Sequence, residues 1–315
     1  MLASAALLVA VTTGLAMPVS TASTAAVPLD TAWLDRAWDF ERPGESEARF
    51  RSELETVPLD SEARLELLTQ VARAQGLQRE FAAAHATLDD VEKALSGRAQ
   101  RVAVRYLLER GRVFNSSREA ERAVPLFKDA LERARAAGED FLAIDAAHML
   151  GIAAPSEERL DWNLEAVAMT EKTGDPRAKR WLASLYNNIG WTYHERGDYA
   201  AALTYFEKAL PASEARGDPR GVLVARWTIA RAYRSLGRYD EALRIQRQLA
   251  LEYAAVDAAD GYVYEELGEL LLAKGELALA QPNFARACEL LARDAGMKAN
   301  EPERLARLRR LGGVE

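Results

Sequence analysis

The sequence predicts an all-α fold, a solenoid of antiparallel helix pairs with six to seven units and a C-terminal capping helix, on three grounds. A small residue recurs at Ala72, Gly111, Gly151, Gly190, Ala230 and Gly268, each about forty positions after the last. Such regularity implies a stack of like units. Twelve positions after five of these six stands an alanine (Ala84, Ala123, Ala202, Ala242, Ala280), and four further on a larger residue (Leu88, Phe127, Phe206, Gln246, Phe284). Gln246 departs from the apolar pattern. Composition agrees: 49% hydrophobic and 28% charged, with much alanine and no strand-like runs, a chain able to bury a continuous helical core.

The N-terminus differs from the rest. Leu2 to Ala16 is apolar, interrupted by Ser4, Thr12, Thr13 and Gly14, and Ser/Thr/Ala-rich sequence follows to Val27. The run is shorter than the roughly 20 residues a spanning helix needs, so no stable membrane span is expected in the mature chain. Residues 1–26 read as a signal peptide, with small residues at Thr21 and Ser23 or at Ser23 and Ala25 for cleavage, or as a disordered tail, since no lysine or arginine precedes the run. The first reading makes the protein exported, periplasmic or secreted; the second leaves it cytoplasmic. The one cysteine, Cys288, excludes an internal disulfide and sits beside Ala287, where a small buried thiol fits.

The solenoid is placed at 30–300. A degenerate first unit is expected around Leu34, which lies about one repeat step before Ala72 and has Ser46, Phe50 and Glu53 where the second helix should face the seam. The clearest unit is Leu185 to Leu210. Ile189 and Tyr193 are four apart on one helix, and Ala202, Phe206 and Ala209 share a face of the next. Between them Arg196-Gly197-Asp198-Tyr199 supplies a glycine able to adopt the left-handed conformation and an aspartate able to cap. Units are punctuated by Gly138-Glu139-Asp140, Gly174-Asp175-Pro176 and Gly217-Asp218-Pro219, the pattern of a helix stop followed by a helix start. One unit is irregular: Ala166 stands four positions closer to Gly151 than Ala209 does to Gly190, and Pro155 should end the first helix early. The segment 301–315 is read as the cap, with Leu305, Leu308 and Leu311 as its apolar row.

Gly190 and Tyr193 on one helix, with Ala202, Phe206 and Ala209 on the next, resemble the signature of the tetratricopeptide repeat family. The match runs over roughly residues 66 to 292. It departs from the family in period, about 40 residues instead of about 34. The resemblance implies a right-handed superhelix whose first helices line a concave groove. It places there the residues three before, one after and four after each small residue: Thr69, Arg73, Gly76; Leu108, Arg112, Asn115; His148, Ile152, Pro155; Asn187, Trp191, His194; Trp227, Arg231, Arg234; and Glu265, Glu269, Leu272. The resemblance further implies that Asn188 stands where family members hydrogen-bond an extended peptide. The five-residue clamp by which some members grip the C-terminal carboxylate of heat-shock chaperones is absent, because its places hold His148, Ile152, Val224 and Thr228.

The candidate peptide-binding residues are therefore Asn187, Asn188, Trp191, His194, Trp227, Arg231, Arg234, Arg112 and Asn115. Trp191 and Trp227 read equally as a ligand platform or as packing between units, and Arg231 and Arg234 as ligand contacts or as a solvated face paired with Glu195 or Asp198. With Glu265, Glu266 and Glu269 in the last unit, the groove is expected to run from a basic, aromatic middle to an acidic end. No catalytic residue, metal site or cofactor is assigned: the histidines His85, His148 and His194 fall in different units, and no phosphate loop or nucleophile turn occurs. A net charge of −7 with no basic stripe outside Arg304, Arg307, Arg309 and Arg310 argues against nucleic acid. The function expected is a non-enzymatic protein- or peptide-binding scaffold or adaptor. The alternative is a sensor or regulator that binds a short signal peptide or small molecule.

Overall fold

The computed structural model describes residues 29–314 apart from 97 and 99; the signal-peptide expectation for 1–26 lies outside the described residues. The helices are α1 Thr31–Ala37, α2 Pro43–Leu54, α3 Glu62–Leu77, α4 Phe81–Lys93, α5 Gln100–Ser116, α6 Ala120–Ala136, α7 Asp140–Ala153, α8 Arg159–Lys172, α9 Leu182–Glu195, α10 Tyr199–Arg216, α11 Pro219–Ser235, α12 Tyr239–Ala255, α13 Gly261–Ala273, α14 Leu277–Leu291, α15 Ala295–Asn300 and α16 Pro302–Gly312. Among the described residues no strand occurs. The first fourteen helices form seven consecutive pairs, each helix packed on its neighbours in the chain. Ser46 and Phe50 are fully buried, so the degenerate first unit is present; Leu54, not Glu53, completes its seam.

What holds each pair is the fit between the small residue and the large one sixteen positions later. A Cβ on Gly111 would sit 2.5 Å from the Phe127 ring, and one on Gly268 2.8 Å from the Phe284 ring; at Gly190 it would overlap Phe206. The phenylalanines are buried at 0–1% exposure, each worth about 3 kcal/mol when fully removed from water. Where the small residue is alanine the partner shrinks to Leu88, or becomes Gln246. That glutamine is fully buried and neither atom of its amide finds a hydrogen-bond partner. Gln246→Leu, which copies the Ala72 and Leu88 arrangement, is therefore expected to stabilise the protein by about 1–3 kcal/mol, read as a higher urea midpoint with unchanged slope.

The turns inside the pairs follow one rule with two substitutions. Gly197, Gly237 and Gly275 have φ of 79°, 75° and 79°, and at the same place in earlier units Arg79 and Arg118 adopt φ of 64° and 70°. Asp198 caps α10, accepting from Ala201 N at 3.0 Å. Gly217 is left-handed at the end of α10, and Asp218 caps α11.

The Gly174-Asp175-Pro176 junction departs from expectation. Its glycine is not left-handed, and Asp175 caps a 3-10 turn, Pro176–Trp181, placed ahead of α9. The irregular unit is where the spacing put it. The helix α7 stops at Ala153, two positions before Pro155, and α8 begins at Arg159. Asn163 then occupies the phenylalanine position four places early, and its Nδ2 donates to the Gly151 carbonyl at 3.1 Å. At the far end, Leu305 and Leu308 are buried and Gly312 meets the backbone of Ala285, so α16 covers α14 as a cap. The short α15 ahead of it was not expected from the sequence.

Candidate functional site

The first helices of the pairs place arginines and carboxylates in two ladders. In the N-terminal ladder Arg105 and Arg101 meet Glu66 at 2.7 and 3.3 Å, Arg73 approaches Glu109 at 3.7 Å, and Arg112 bonds Glu109 and Asp145. In the C-terminal ladder Arg234 forms a two-pronged contact with Glu266 at 2.7 and 2.9 Å, and Arg231 approaches it at 3.3 Å. The cap completes this ladder: Arg304 bonds Glu265, and Arg307 bonds Glu269. One inter-unit register recurs. The arginine just after the small residue of one unit (Arg73, Arg231) pairs with the glutamate two before the small residue of the next (Glu109, Glu266).

This overturns the expected charge gradient. Arg231 and Arg234 pair with Glu266, not with Glu195 or Asp198, and the acidic end is matched by Arg304 and Arg307. The same neutralisation removes Arg112 as a free contact: burial works against its charge, but Asp145 and Glu109 more than offset that and raise its pKa. Burial lowers the pKa of Arg73, with Arg112 adding to the effect.

Between the ladders α9 presents uncharged groups. Trp191 lies 6.1 Å from Trp227, 5.4 Å from Phe206 and 5.2 Å from His194, ring centre to ring centre, so it packs between units while remaining partly exposed. His194 Nε2 and Arg231 Nη1 both bond the Ser235 hydroxyl, at 2.9 and 2.8 Å. Burial, then Arg231 and Arg234, push His194 down to about 4, so it is a neutral element of the face at ordinary pH. The structure thus gathers Trp191, His194, Trp227, Arg231 and Arg234. It does not bring Arg112 or Asn115, in α5, to them. Asn188 is engaged by the preceding unit, its Nδ2 donating to Asn163 Oδ1 at 3.4 Å.

Three adjoining cavities run beside this face. The first, about 220 Å³, lies between α1 and the loop after it, the inner helices and the 3-10 turn; its walls include Trp38, Phe40, Arg73, Phe141, Arg180 and Trp181. The second, also about 220 Å³, lies between α9, α10 and the start of α11, holds Asn187, and shares Ser184 and Arg216 with the first. The third, about 230 Å³ and largely apolar, is formed by Leu223, Val224, Trp227, Tyr253, Asp260, Tyr262 and Val263, and shares Val224 with the second. Asn187 Oδ1 and Trp227 Nε1 are buried atoms without a hydrogen-bond partner, and so is Trp181 Nε1.

Sequence reasoning missed the first cavity altogether. Its closure depends on Asp35, which bonds Arg177 and Arg180 across 142 and 145 residues of chain. Nothing local announces such contacts. The register of the ladders was missed as well, although the repeat carries it: Arg73 and Arg231 each stand one position after a small residue, and Glu109 and Glu266 two before the next.

Beside the first cavity His148 sits 4.9 Å from Trp181, ring to ring. Burial pushes it down to about 4; Arg112 and Arg73 add to this and Asp145 opposes it. Because the unfolded chain protonates this histidine near pH 6.5 and the folded one only near 4, its contribution is complete above about pH 6.5 and is lost as pH falls towards 4. The loss is at most about 3 kcal/mol. His148→Phe is expected to flatten the acid limb of a plot of melting temperature against pH.

Among the described residues no group of three or more His, Cys, Asp or Glu side chains could hold a metal ion, and no helix is long and apolar enough to cross a membrane.

The sequence model of the family described as Tetratricopeptide repeat matches residues 160–215 and 181–252. No curated protein matches the sequence significantly. Among solved structures, the apo form of RapI is 12% identical with a TM-score of 0.62, covering 90% of this chain and 78% of that one. A tetratricopeptide repeat protein from Parabacteroides merdae is 15% identical with a TM-score of 0.52, covering 90% and 98%. NprR in complex with its cognate peptide NprX is 16% identical with a TM-score of 0.58, covering 88% and 82%. At these identities the likeness is one of fold, and it extends the pairing beyond the matched residues. The repeat model is seated on 160–252, and the same small-residue seam is carried from α3 to α14, so the chain is similar to the tetratricopeptide repeat family in sequence over that stretch and in fold beyond it.

Proposed function

We propose that the protein is a non-enzymatic scaffold or adaptor that holds an extended segment of another protein, or a peptide, along its inner groove. The observation that carries this reading is the run of three adjoining cavities beside an uncharged stretch of α9, with unpaired Asn187 Oδ1 and Trp227 Nε1 in the second and third. An extended backbone offers one donor and one acceptor per residue, the complement of that acceptor and that donor. The similarity in fold to NprR, solved with a bound peptide, supports the same use. The C-terminal ladder is internally neutralised and so contributes shape, leaving specificity at α9 and α11 to the aromatic and amide groups.

Two or three hydrogen bonds with some aromatic burial, set against about 2–5 kcal/mol for ordering the segment, give affinity on the order of micromolar. The test is the double substitution Asn187→Ala with Trp227→Phe, which removes one acceptor and one donor while keeping a ring in the apolar cavity. At roughly 0.5–1.5 kcal/mol each, the pair should weaken a bound segment about tenfold or more by calorimetry. Helical circular dichroism should not change. Unaltered affinity would remove these two groups from the site.

A further inference from the structure

The first cavity differs from the other two in charge. Arg73, Arg105, Arg177, Arg180 and Arg216 line it against only two carboxylates, Asp35 and Asp145. Of these acids Asp145 is taken by Arg112, and Asp35 is shared by Arg177 and Arg180 at 3.0 and 2.9 Å. Arg105 is answered by Glu66. The remaining cations are poorly met: Arg73 has its carboxylate no nearer than 3.7 Å, and Arg216 has Asp218 at 3.8 Å. The buried Trp181 Nε1 is a further donor without an acceptor.

The same walls are aromatic. Trp38 and Phe40 are stacked with centroids 4.7 Å apart and planes within 2°, and the Arg73 guanidinium lies over them at 5.4 and 5.2 Å. Phe141 and Trp181, also in the lining, lie 5.7 Å apart with planes tilted by 44°, and the Arg177 guanidinium is 4.3 Å over Phe141. A site with surplus donors, surplus positive charge and two aromatic walls lacks acceptors, negative charge and a flat body.

We infer that this cavity binds a carboxylate carried on an aromatic side chain's frame, the carboxylate set among Arg73, Arg180 and Arg216 and the ring between the two aromatic walls. Carboxylate is favoured over a bulkier anion because Arg177 and Arg180 already bracket one, that of Asp35. About 220 Å³ admits one such residue and not a folded partner. The shared chemistry has two sources, a free aromatic acid or the C-terminal residue of a peptide lying in the groove. This site stands independently of the peptide contacts at Asn187 and Trp227.

The test is titration of the full chain with N-acetylphenylalanine, its neutral amide, and a pentapeptide ending in phenylalanine, followed by calorimetry. The acid should bind at least tenfold more tightly than the amide. Arg73→Gln should reduce acid binding tenfold or more, and Arg216→Gln, at the rim, should reduce it severalfold with the fold intact by circular dichroism. A pentapeptide that matches or exceeds the single residue assigns the site to peptide ends; binding of the single residue alone assigns it to a free acid. Either result supports an aromatic carboxylate site. Equal binding of acid and amide, binding indifferent to both arginine substitutions, or no binding of any of the three ligands would overturn it, and none of these results bears on the Asn187 and Trp227 substitutions.

Discussion

Phe206→Ala is expected to lower stability by about 3–5 kcal/mol. The ring is fully buried, fills the space left by Gly190, and supports Trp191 at 5.4 Å. Removing it opens a cavity that α9 and α10 cannot close, since their approach is already set by the glycine. In a solenoid each unit is stabilised through its neighbours, so the damage should spread: the unit of α9 and α10 joins the N-terminal units to those of α11 to α14. Denaturation followed by circular dichroism should therefore lose cooperativity as well as midpoint, resolving into two steps. A single transition shifted by less than about 1 kcal/mol, well under the usual cost of emptying a buried aromatic site, would contradict this description of the seam. Gly190→Leu attacks the same contact from the other side and should be at least as damaging.

Glu266→Ala is the second large effect. Glu266 is 4% exposed and holds both Arg231 and Arg234. Truncating it leaves two partly buried guanidinium groups without their bonded carboxylate, with only the more distant Glu265 and Glu269 to offset them. Breaking a buried pair by removing one partner costs about 3–5 kcal/mol, and because both arginines retain some solvent contact the lower end, about 3 kcal/mol, is expected. Glu266→Gln, which keeps the acceptor oxygen, should cost less. The double substitution of Glu266 and Arg234 to alanine should recover part of the loss, and a strictly additive result would deny the coupling between units six and seven.

The two substitutions separate what the sequence discloses from what it conceals. The seam is legible because it depends on spacings inside a single unit: Gly190 to Phe206, Gly111 to Phe127, and the early Asn163 opposite Gly151 all follow from counting. The left-handed turn at Gly197 is equally local. Arg79 and Arg118, which adopt the same φ without being glycine, are not, since nothing in their identity announces it.

The site is less legible. Placing Trp191, Trp227 and Arg231 on neighbouring inner faces follows from the period. Whether those arginines are free depends on Glu266, on the next unit, and the apparent basic middle disappears once that contact forms. Asn188 has the residue type for binding a peptide but is engaged by Asn163, a consequence of the four-place shift in the preceding unit. The first cavity needs Asp35 and Arg177 to meet across 142 residues, which depends on how the small rotations between the units from α1 to α9 add up. No local pattern records that sum.

If a partner segment lies along the inner face at α9, a photoreactive group placed there must reach it. The measurement is made with a benzophenone-bearing phenylalanine in place of Trp191, compared with the same group in place of Leu251, a 66% exposed residue on α12. Covalent capture of one extended segment is expected from position 191, absent from position 251 and strongly reduced by Asn187→Ala with Trp227→Phe. Equal labelling at the two positions, or labelling at 251 alone, would refute binding along the inner face.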